Sequence, residues 1–367
     1  MTHVLLLLGC AVSIYFACEW FVNAVEWLGV RMKVGRLAVG TILAAAGTAL
    51  PESVVTLVAV LFGSPEHGND IAVGAALGGP LVVGTIAYGV TGAMLVWRKR
   101  HLRAAAAALS VAELGITAPG GSELGIAGPV SPDLGVTAGA GSDLAGVDTD
   151  RLARDQTWFL AIFTVKVSLG LVAFAIKPWL GLVFFAVYAV YFFKEMSGTG
   201  DQASADDLEP LKLQPRRANP TTLAVSFQIL VTLTIIFGAS QLFVKQLEWA
   251  GPALGLPAVV VALLLSPIAT ELPEIMNAII WVRQGKTQLA LANISGAMMI
   301  QATIPSGIGI LFTPWRFDAP LMIAGAVTMC SVSYLLWLLK THRVTAWRLT
   351  GAAGFYVVFA VGLVLTL

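Results

Sequence analysis

One short motif occurs twice in this sequence, and the spacing of its two copies constrains the fold more than any other feature. The frame Thr-x-Leu-Pro-Glu occupies 48–52 and again 270–274, so each residue of the second copy lies 222 positions after its counterpart. The register continues without a gap over 21–63 and 243–285. Because a carboxylate buried in hydrocarbon is costly, two copies in register indicate the two halves of one ion site.

The composition is that of a membrane protein with many crossings. Hydrophobic residues make up 57% of the 367 residues and charged residues only 12%, whereas soluble domains carry roughly 25% charged residues. A helix needs about 20 apolar residues to cross a hydrocarbon core of ~30 Å. The candidate segments are approximately 4–30, 37–63, 70–96, 157–176, 178–194, 222–249, 257–282, 287–312, 318–340 and 345–366.

These ten segments divide into two groups of five. Residues 1–97 hold the first three helices of the first repeat, 157–194 hold its fourth and fifth, and 222–367 hold the second repeat. Between them lie 98–156, a Gly-, Pro- and Ala-rich tract that we expect to be a disordered loop, and the polar linker 195–221. Because five is odd, the second repeat is inverted in the membrane. The predicted fold class is an all-α polytopic membrane protein of about ten transmembrane helices in two inverted five-helix repeats, an architecture of secondary transporters.

Basic residues fall mostly on one side of this arrangement. Of the 22 Lys and Arg residues, 18 lie in the connections after predicted helices 1, 3, 5, 7 and 9. The positive-inside rule therefore predicts that both termini face outward and that the long loops are cytoplasmic, in a plasma (inner) membrane. Lys166 lies inside the fourth predicted helix, where we expect it to reach toward the interface or to pair.

The motif itself supplies oxygen ligands. Proline has no N–H, so Pro51 leaves the carbonyl of Gly47 without its helical donor, and Pro273 does the same for Ala269. In each copy the threonine precedes the glutamate by four residues, so hydroxyl and carboxylate share one helix face. Glu271 lies three residues before Glu274 in the second copy and adds a further carboxylate.

The helix after the second copy adds further polar groups. Asn293 and Gln301 carry amide oxygens and Ser295 a hydroxyl, whereas the equivalent stretch of the first copy, 72–85, is nearly apolar but rich in glycines that permit close packing. Oxygen ligands of these kinds suit Ca²⁺ or Na⁺. The predicted ion-binding residues are Glu52, Glu274, Glu271, Thr48, Thr270, Gln301, Asn293, Ser295, Gly47 and Ala269. Of these, Glu52, Glu274 and Glu271 are the predicted metal ligands whose negative charge balances the cation.

The paired motif and the helices that follow it resemble the α-repeats of the cation/calcium antiporter superfamily, the sodium/calcium exchangers, in a divergent bacterial form. The likeness covers about 37–95 and 257–313. It implies ten helices in two inverted halves, with Glu52 and Glu274 as paired glutamates that bind Ca²⁺ and Na⁺ alternately, and threonines at Thr48 and Thr270.

The sequence departs from the family pattern at three pairs of positions. The serine that follows the threonine is Ala49 in one copy and Glu271 in the other. The serine of the family's Gly-Ser-Asn segment is Gly79 or Ala297, and the next polar position is Val83 or Gln301. A site with fewer hydroxyls and one more carboxylate need not bind the family's usual set of ions.

The predicted function is a secondary active transporter that exchanges a cation, Ca²⁺ or another divalent, for Na⁺ or H⁺ by alternating access. The alternative is a passive cation channel or uniporter with the same carboxylates, but inverted repeats favour the antiporter. An enzyme is not expected, because the sequence lacks a His-Glu-x-x-His helix, a plausible nucleophile–base pair and a phosphate-binding loop. No cofactor is expected beyond the transported cations. The expected partners are inorganic cations and the lipid bilayer, with no nucleic acid and no obligate protein partner.

Overall fold

Helices form at all ten predicted positions. The computed structural model describes residues 2–35, 38–62, 68–113, 144, 146–173, 175–197, 208–253, 264 and 266–366, and within these ranges it contains helices and no strand. The α-helices are α1 (Thr2–Met32), α2 (Ala45–Phe62), α3 (Gly68–Val82), α4 (Tyr88–Glu113), α5 (Thr149–Leu171), α6 (Leu180–Met196), α7 (Thr222–Ala253), α8 (Ser266–Thr270), α9 (Leu272–Arg283), α10 (Thr287–Phe312), α11 (Ala319–Lys340), α12 (Ala346–Thr350) and α13 (Ala353–Thr366).

Seven helical segments in the described residues are long and apolar enough to cross a membrane by length and composition. They lie at Leu5–Met32, Val73–Ala104, Lys177–Met196, Thr222–Phe243, Thr287–Phe312, Ala319–Lys340 and Ala346–Thr366. The predicted span 157–176 falls in α5, which carries several charged residues in its first turns. The span 37–63 is interrupted by the π-helical segment Val39–Ala44, and the span 257–282 is divided between α8 and α9.

The loop predicted over 98–156 is shorter in the structure than the sequence pattern indicates. Helix α4 continues through the basic cluster to Glu113, because the alanines at 104–108 are strong helix formers. At the other end Asp148 caps α5, its carboxylate accepting a hydrogen bond from the backbone N–H of Arg151 at 2.9 Å. Residues 114–143, which hold most of the low-complexity tract, lie outside the described residues.

The two repeats are interleaved. The first helices of the repeats, α1 and α7, pack along each other, and α10 of the second repeat packs against α2, α3, α5 and α6 of the first. Nearly every residue of α10 between Leu289 and Ile310 is buried. The polar groups of α10 therefore face protein and not lipid, which places any site built on this helix at the junction of the two repeats.

The two copies of the motif differ in local structure. In the first copy the motif lies within the continuous helix α2, which is preceded by the π-helical turn Val39–Ala44. In the second copy the chain leaves the helix at Glu271, between α8 and α9, and Pro273 stands in the first turn of α9. Proline in the first turn of a helix is well tolerated, because its missing N–H would have no partner there. The second copy thus presents two helix ends inside the bundle.

Glycine allows the two repeats to approach closely at one crossing. A Cβ atom added to Gly296 of α10 would lie 2.6 Å from the Cα and the carbonyl carbon of Thr41, in the π-helical segment of the first repeat. Gly40 approaches α10 in the same way, and a Cβ atom there would lie 2.9 Å from the Cβ of Ala292. The contact joins backbone to backbone, so neither helix can yield by a side-chain rotation.

Replacing Gly296 by alanine is expected to force these two helices apart. We expect Gly296→Ala to destabilise the protein by about 1–3 kcal/mol, the usual cost of overpacking, seen as a lower midpoint of thermal unfolding in detergent. The matched control is Gly74→Ala in α3, where an added Cβ meets no atom within 4 Å. Equal effects of the two substitutions would contradict the close crossing.

Candidate ion-binding site

Two predicted site residues of the second repeat meet in the protein interior. The side-chain amide of Gln301 in α10 donates a hydrogen bond from Nε2 to Oε2 of Glu271 at 2.6 Å. Glu271 is 0% exposed and Gln301 is 1% exposed. Because Glu271 stands at the break between α8 and α9, its carboxylate lies beside the N-terminus of α9, whose partial positive charge favours an anion.

Gly79 of α3 forms the facing wall of this pair. A Cβ atom added to Gly79 would lie 2.9 Å from Oε1 of Glu271 and 3.1 Å from Cδ of Gln301. The contribution of the first repeat at this point is therefore the absence of a side chain. The glycine that stands where the family has a serine makes room for the extra carboxylate at Glu271, so these two departures from the family pattern are spatially linked.

Glu274, the glutamate of the second motif copy, lies in the first turn of α9 and is 1% exposed. Helix α1 covers this turn, where the thiol of Cys18 is 3.8 Å from the carbonyl oxygen of Pro273. Its counterpart Glu52 lies in α2, but its side chain is outside the described residues. The prediction that Glu52 completes the site therefore stays a prediction.

The two threonines use their hydroxyl protons on the backbone. Thr48 donates to the carbonyl of Ala44 at 3.2 Å, and Thr270 donates to that of Pro267 at 3.1 Å. Each hydroxyl oxygen then keeps lone pairs that can coordinate a cation. Near the first threonine, Gly47 of α2 contacts the ring of Phe21 in α1. Ala269 lies in α8, and its side chain is outside the described residues.

Ser295 and Asn293 lie closer to the N-terminus of α10 than Gln301. Ser295 donates a hydrogen bond to Oδ2 of Asp155 in α5 at 3.3 Å. It precedes Gln301 by six residues, which is about 9 Å along a helix axis, so the structure does not bring Ser295 to the Glu271–Gln301 pair. Asn293 is 0% exposed, and neither atom of its amide group has a hydrogen-bond partner in the part of the chain that the structure describes.

The described residues contain no group of three or more His, Cys, Asp or Glu side chains close enough to hold a metal ion. Glu271 and Glu274 are both buried at the start of α9, and the additional ligands that the sequence predicts are amide and hydroxyl oxygens. Carboxylate, amide and hydroxyl oxygens are ligands that suit hard cations such as Ca²⁺ or Na⁺.

Several buried polar residues have no place in the predicted ligand set. Asn277 is 0% exposed, and its amide atoms have no hydrogen-bond partner among the described residues. It follows Glu274 by three residues, a spacing that puts both on one helix face and could have revealed it. Asp155 and Glu195 are buried at 3% and 7% exposure. They lie just outside the predicted spans 157–176 and 178–194, in segments that the sequence pattern predicts to be loops.

A family model described as "Sodium/calcium exchanger protein" matches residues 2–118 and 225–365, which is more than half of the chain. The chain therefore belongs to the sodium/calcium exchanger family, and it is an exchanger-type membrane transporter. The matched ranges contain both copies of the motif, the Glu271–Gln301 pair and Gly79.

Individual relatives support the same assignment. The sodium/calcium exchanger MaX1 of Methanosarcina acetivorans is 28% identical over 140 residues, 36% of this chain and 38% of MaX1. The inner membrane protein YrbG of Escherichia coli is 28% identical over 161 residues, 43% of this chain and 49% of YrbG. Each alignment thus spans less than half of the relative's length.

Solved structures match over nearly the whole chain. The sodium-calcium exchanger NCX_Mj, soaked with zero Na⁺ and Ca²⁺, superposes with a TM-score of 0.68 at 17% identity, covering 98% of each chain. The same exchanger soaked with 10 mM Na⁺ and zero Ca²⁺ gives a TM-score of 0.67 over 97% of each chain. At this identity the match establishes the fold, the ten-helix arrangement of two inverted repeats.

A methyl group at Gly79 is expected to disturb the site without unfolding the protein. The Cβ of Gly79→Ala would displace the Glu271 carboxylate and the Gln301 amide, both of which can move as side chains. We expect the affinity for the preferred cation to fall by about tenfold, which is 1.4 kcal/mol, measured by isothermal titration on purified protein. Gly74→Ala, five residues earlier in α3, is the control. Unchanged cation affinity in Gly79→Ala would contradict the proximity of α3 to the ion.

Proposed function

We propose that this chain is a secondary active transporter that exchanges a divalent cation, with Ca²⁺ as the first candidate, for Na⁺ or H⁺ by alternating access. The observation that carries the proposal is the buried Glu271–Gln301 pair. It lies at a helix break of one inverted repeat and faces Gly79 of the other repeat.

The charge of the site explains why two fluxes would be coupled. Glu271 and Glu274 are buried in a membrane-embedded bundle, where uncompensated carboxylates are costly. A divalent cation neutralises the acids in one half of the cycle, and Na⁺ ions or protons do so in the other half. The empty, charged site would be the expensive state to move, so the transporter changes its access side mainly when it is loaded.

The names of similar proteins favour the same cations. MaX1 is named a sodium/calcium exchanger, and NCX_Mj is a sodium-calcium exchanger whose structures were obtained after soaking with Na⁺, Ca²⁺ or Sr²⁺. The ligands on this chain are carboxylate, amide and hydroxyl oxygens, which suit these hard cations. The replacement of serines at Ala49, Gly79 and Ala297 and the added Glu271 are consistent with H⁺ as well as Na⁺ as the counter-ion.

We further propose that the chain lies in a plasma (inner) membrane with both termini outside and the long loops in the cytoplasm. This orientation rests on the 18 basic residues that lie in one set of connections. The relative YrbG is named an inner membrane protein. Inorganic cations and lipid are the partners that this proposal requires.

Neutralising Glu271 or Glu274 is expected to reduce coupled exchange strongly. In sealed proteoliposomes we expect Ca²⁺ uptake driven by an outward Na⁺ or H⁺ gradient to fall at least about tenfold in Glu271→Gln and in Glu274→Gln. Each substitution removes a charge that the cation must balance, and a tenfold loss is about 1.4 kcal/mol. The control is Glu19→Gln, which changes a glutamate of α1 that is 32% exposed and pairs with Lys212 of the linker.

The same assay separates an exchanger from a channel. An exchanger takes up Ca²⁺ only when a counter-ion is present on the other side of the membrane. Ca²⁺ uptake that proceeds equally without Na⁺ or a proton gradient would identify a channel or uniporter. Full gradient-driven exchange in Glu274→Gln would show that the buried acids do not carry the ion.

A further inference from the structure

A buried lysine lies between the two repeats. Lys166, in α5, is 0% exposed, so its ammonium group finds its partners inside the protein and does not reach solvent. Its Nζ donates to the backbone carbonyl of Ala76 in α3 at 2.7 Å and to the hydroxyl of Ser306 in α10 at 3.1 Å. The nitrogen also stands 4.5 Å from the centre of the Phe163 ring. The side chain thus joins a helix of the first repeat to a helix of the second.

These three neighbours fit a charged ammonium group. An ammonium has three N–H donors and no acceptor, whereas a neutral amine has a lone pair that needs a donor. The carbonyl of Ala76 accepts, the hydroxyl of Ser306 can accept, and the face of Phe163 attracts a cation. Among the described residues no Asp or Glu forms an ion pair with Lys166, so oxygen dipoles and an aromatic face hold the charge.

Two prolines free the backbone carbonyls of Ala76 and Gln301, on which these contacts depend. Pro80 lies within α3 four residues after Ala76, and Pro305 lies within α10 four residues after Gln301. Each proline removes the N–H that would otherwise bond the carbonyl four residues before it. Lys166 takes the carbonyl of Ala76 directly. The backbone carbonyl of Gln301 accepts from the hydroxyl of Ser306 at 3.3 Å, and Ser306 in turn contacts Lys166.

The ammonium is connected to the candidate ion site through both helices. On α3, Ala76 lies three residues before Gly79, which faces Glu271. On α10, Ser306 binds the backbone of Gln301, whose side chain binds Glu271. Carbonyls released by proline are also the expected cation ligands at Gly47 and Ala269. Beside the candidate ion site there is therefore a second set of oxygens of the same chemistry, and the ammonium of Lys166 lies among them.

We propose that the ammonium of Lys166 is a tethered cation that permanently occupies a monovalent-cation position between the repeats. Resting on the exchange function proposed above, this means that the exchanger moves one fewer monovalent cation per divalent cation than it would with a neutral residue at 166. Lys166 thereby sets the coupling ratio of the exchange, and with it the charge moved in each cycle.

The test measures the coupling ratio in proteoliposomes. Under fixed gradients of Ca²⁺ and Na⁺, the membrane potential at which net Ca²⁺ flux vanishes reports the number of Na⁺ ions exchanged per Ca²⁺, and a net flux that no membrane potential alters reports a ratio of two. A proton gradient replaces Na⁺ if H⁺ is the counter-ion. Lys166→Ala leaves the two oxygens and a space for an ion. We expect its ratio to exceed that of the parent by one monovalent cation. Equilibrium binding of radioactive Na⁺ to purified protein is expected to show one additional bound ion in the same variant.

Lys177→Ala is the matched control. Lys177 is also buried, at 4% exposure, and it donates to the carbonyls of Val172 and Trp315 at 2.8 and 2.9 Å, but it lies in the turn between α5 and α6. Its ratio is expected to equal that of the parent. If Lys166→Ala does not fold, Lys166→Ser, whose short side chain also leaves the space and adds a hydroxyl oxygen, carries the same expectation.

The outcomes separate the two proposals. Absence of counter-ion-dependent flux in the parent would refute the exchange function itself. Normal exchange in the parent, with the same zero-flux potential and the same number of bound Na⁺ ions in a folded Lys166 variant, would overturn the tethered cation alone.

Discussion

The cost of an unsatisfied polar group in hydrocarbon governs the interior of this protein. In a bilayer every backbone carbonyl and every charge must find a partner inside the protein. Prolines inside α3 and α10 release carbonyls within the bundle, and the break between α8 and α9 places two helix ends there. Buried Glu271, Glu274 and Lys166 add ionisable groups to the same interior. These groups are tolerable only where helices of the two repeats meet, so the requirement for partners determines which helix faces pack together.

The two repeats share an architecture but divide the chemistry unequally. Helix α10 of the second repeat carries the buried amides, and the break at Glu271 adds a carboxylate beside a helix N-terminus. The first repeat contributes close approach, through Gly79 at the site and through Thr41 at the crossing with Gly296. The duplicated motif therefore accounts for the inverted fold, whereas the departures from symmetry between its copies are the better guide to which ion is bound.

Much of the fold could be predicted from the sequence, because the duplicated motif and the lengths of the apolar segments are both visible in it. The offset of 222 residues and the apolar segments predicted the ten helices, and the family match confirms the resemblance in the motif. The sequence assigned Glu271 and Gln301 to one ion site, but the direct hydrogen bond between their side chains was not predictable, because 30 residues and a turn separate them. The hydrogen bond from Ser295 to Asp155 depends on the rotation of α10, which no spacing in the sequence specifies. Lys166 likewise acquires its partners only when three helices assemble.

In the proposed exchange, one set of buried oxygens binds the two cations alternately. Titration of purified protein with Ca²⁺ at increasing Na⁺ concentration, repeated over a range of pH, tests this claim most directly. We expect the apparent Kd for Ca²⁺ to rise continuously with the concentration of Na⁺, or of H⁺ if protons are the counter-ion, because both cations occupy the same carboxylates. Ca²⁺ affinity that is independent of both, with Na⁺ and Ca²⁺ bound at the same time to separate sites, would contradict it.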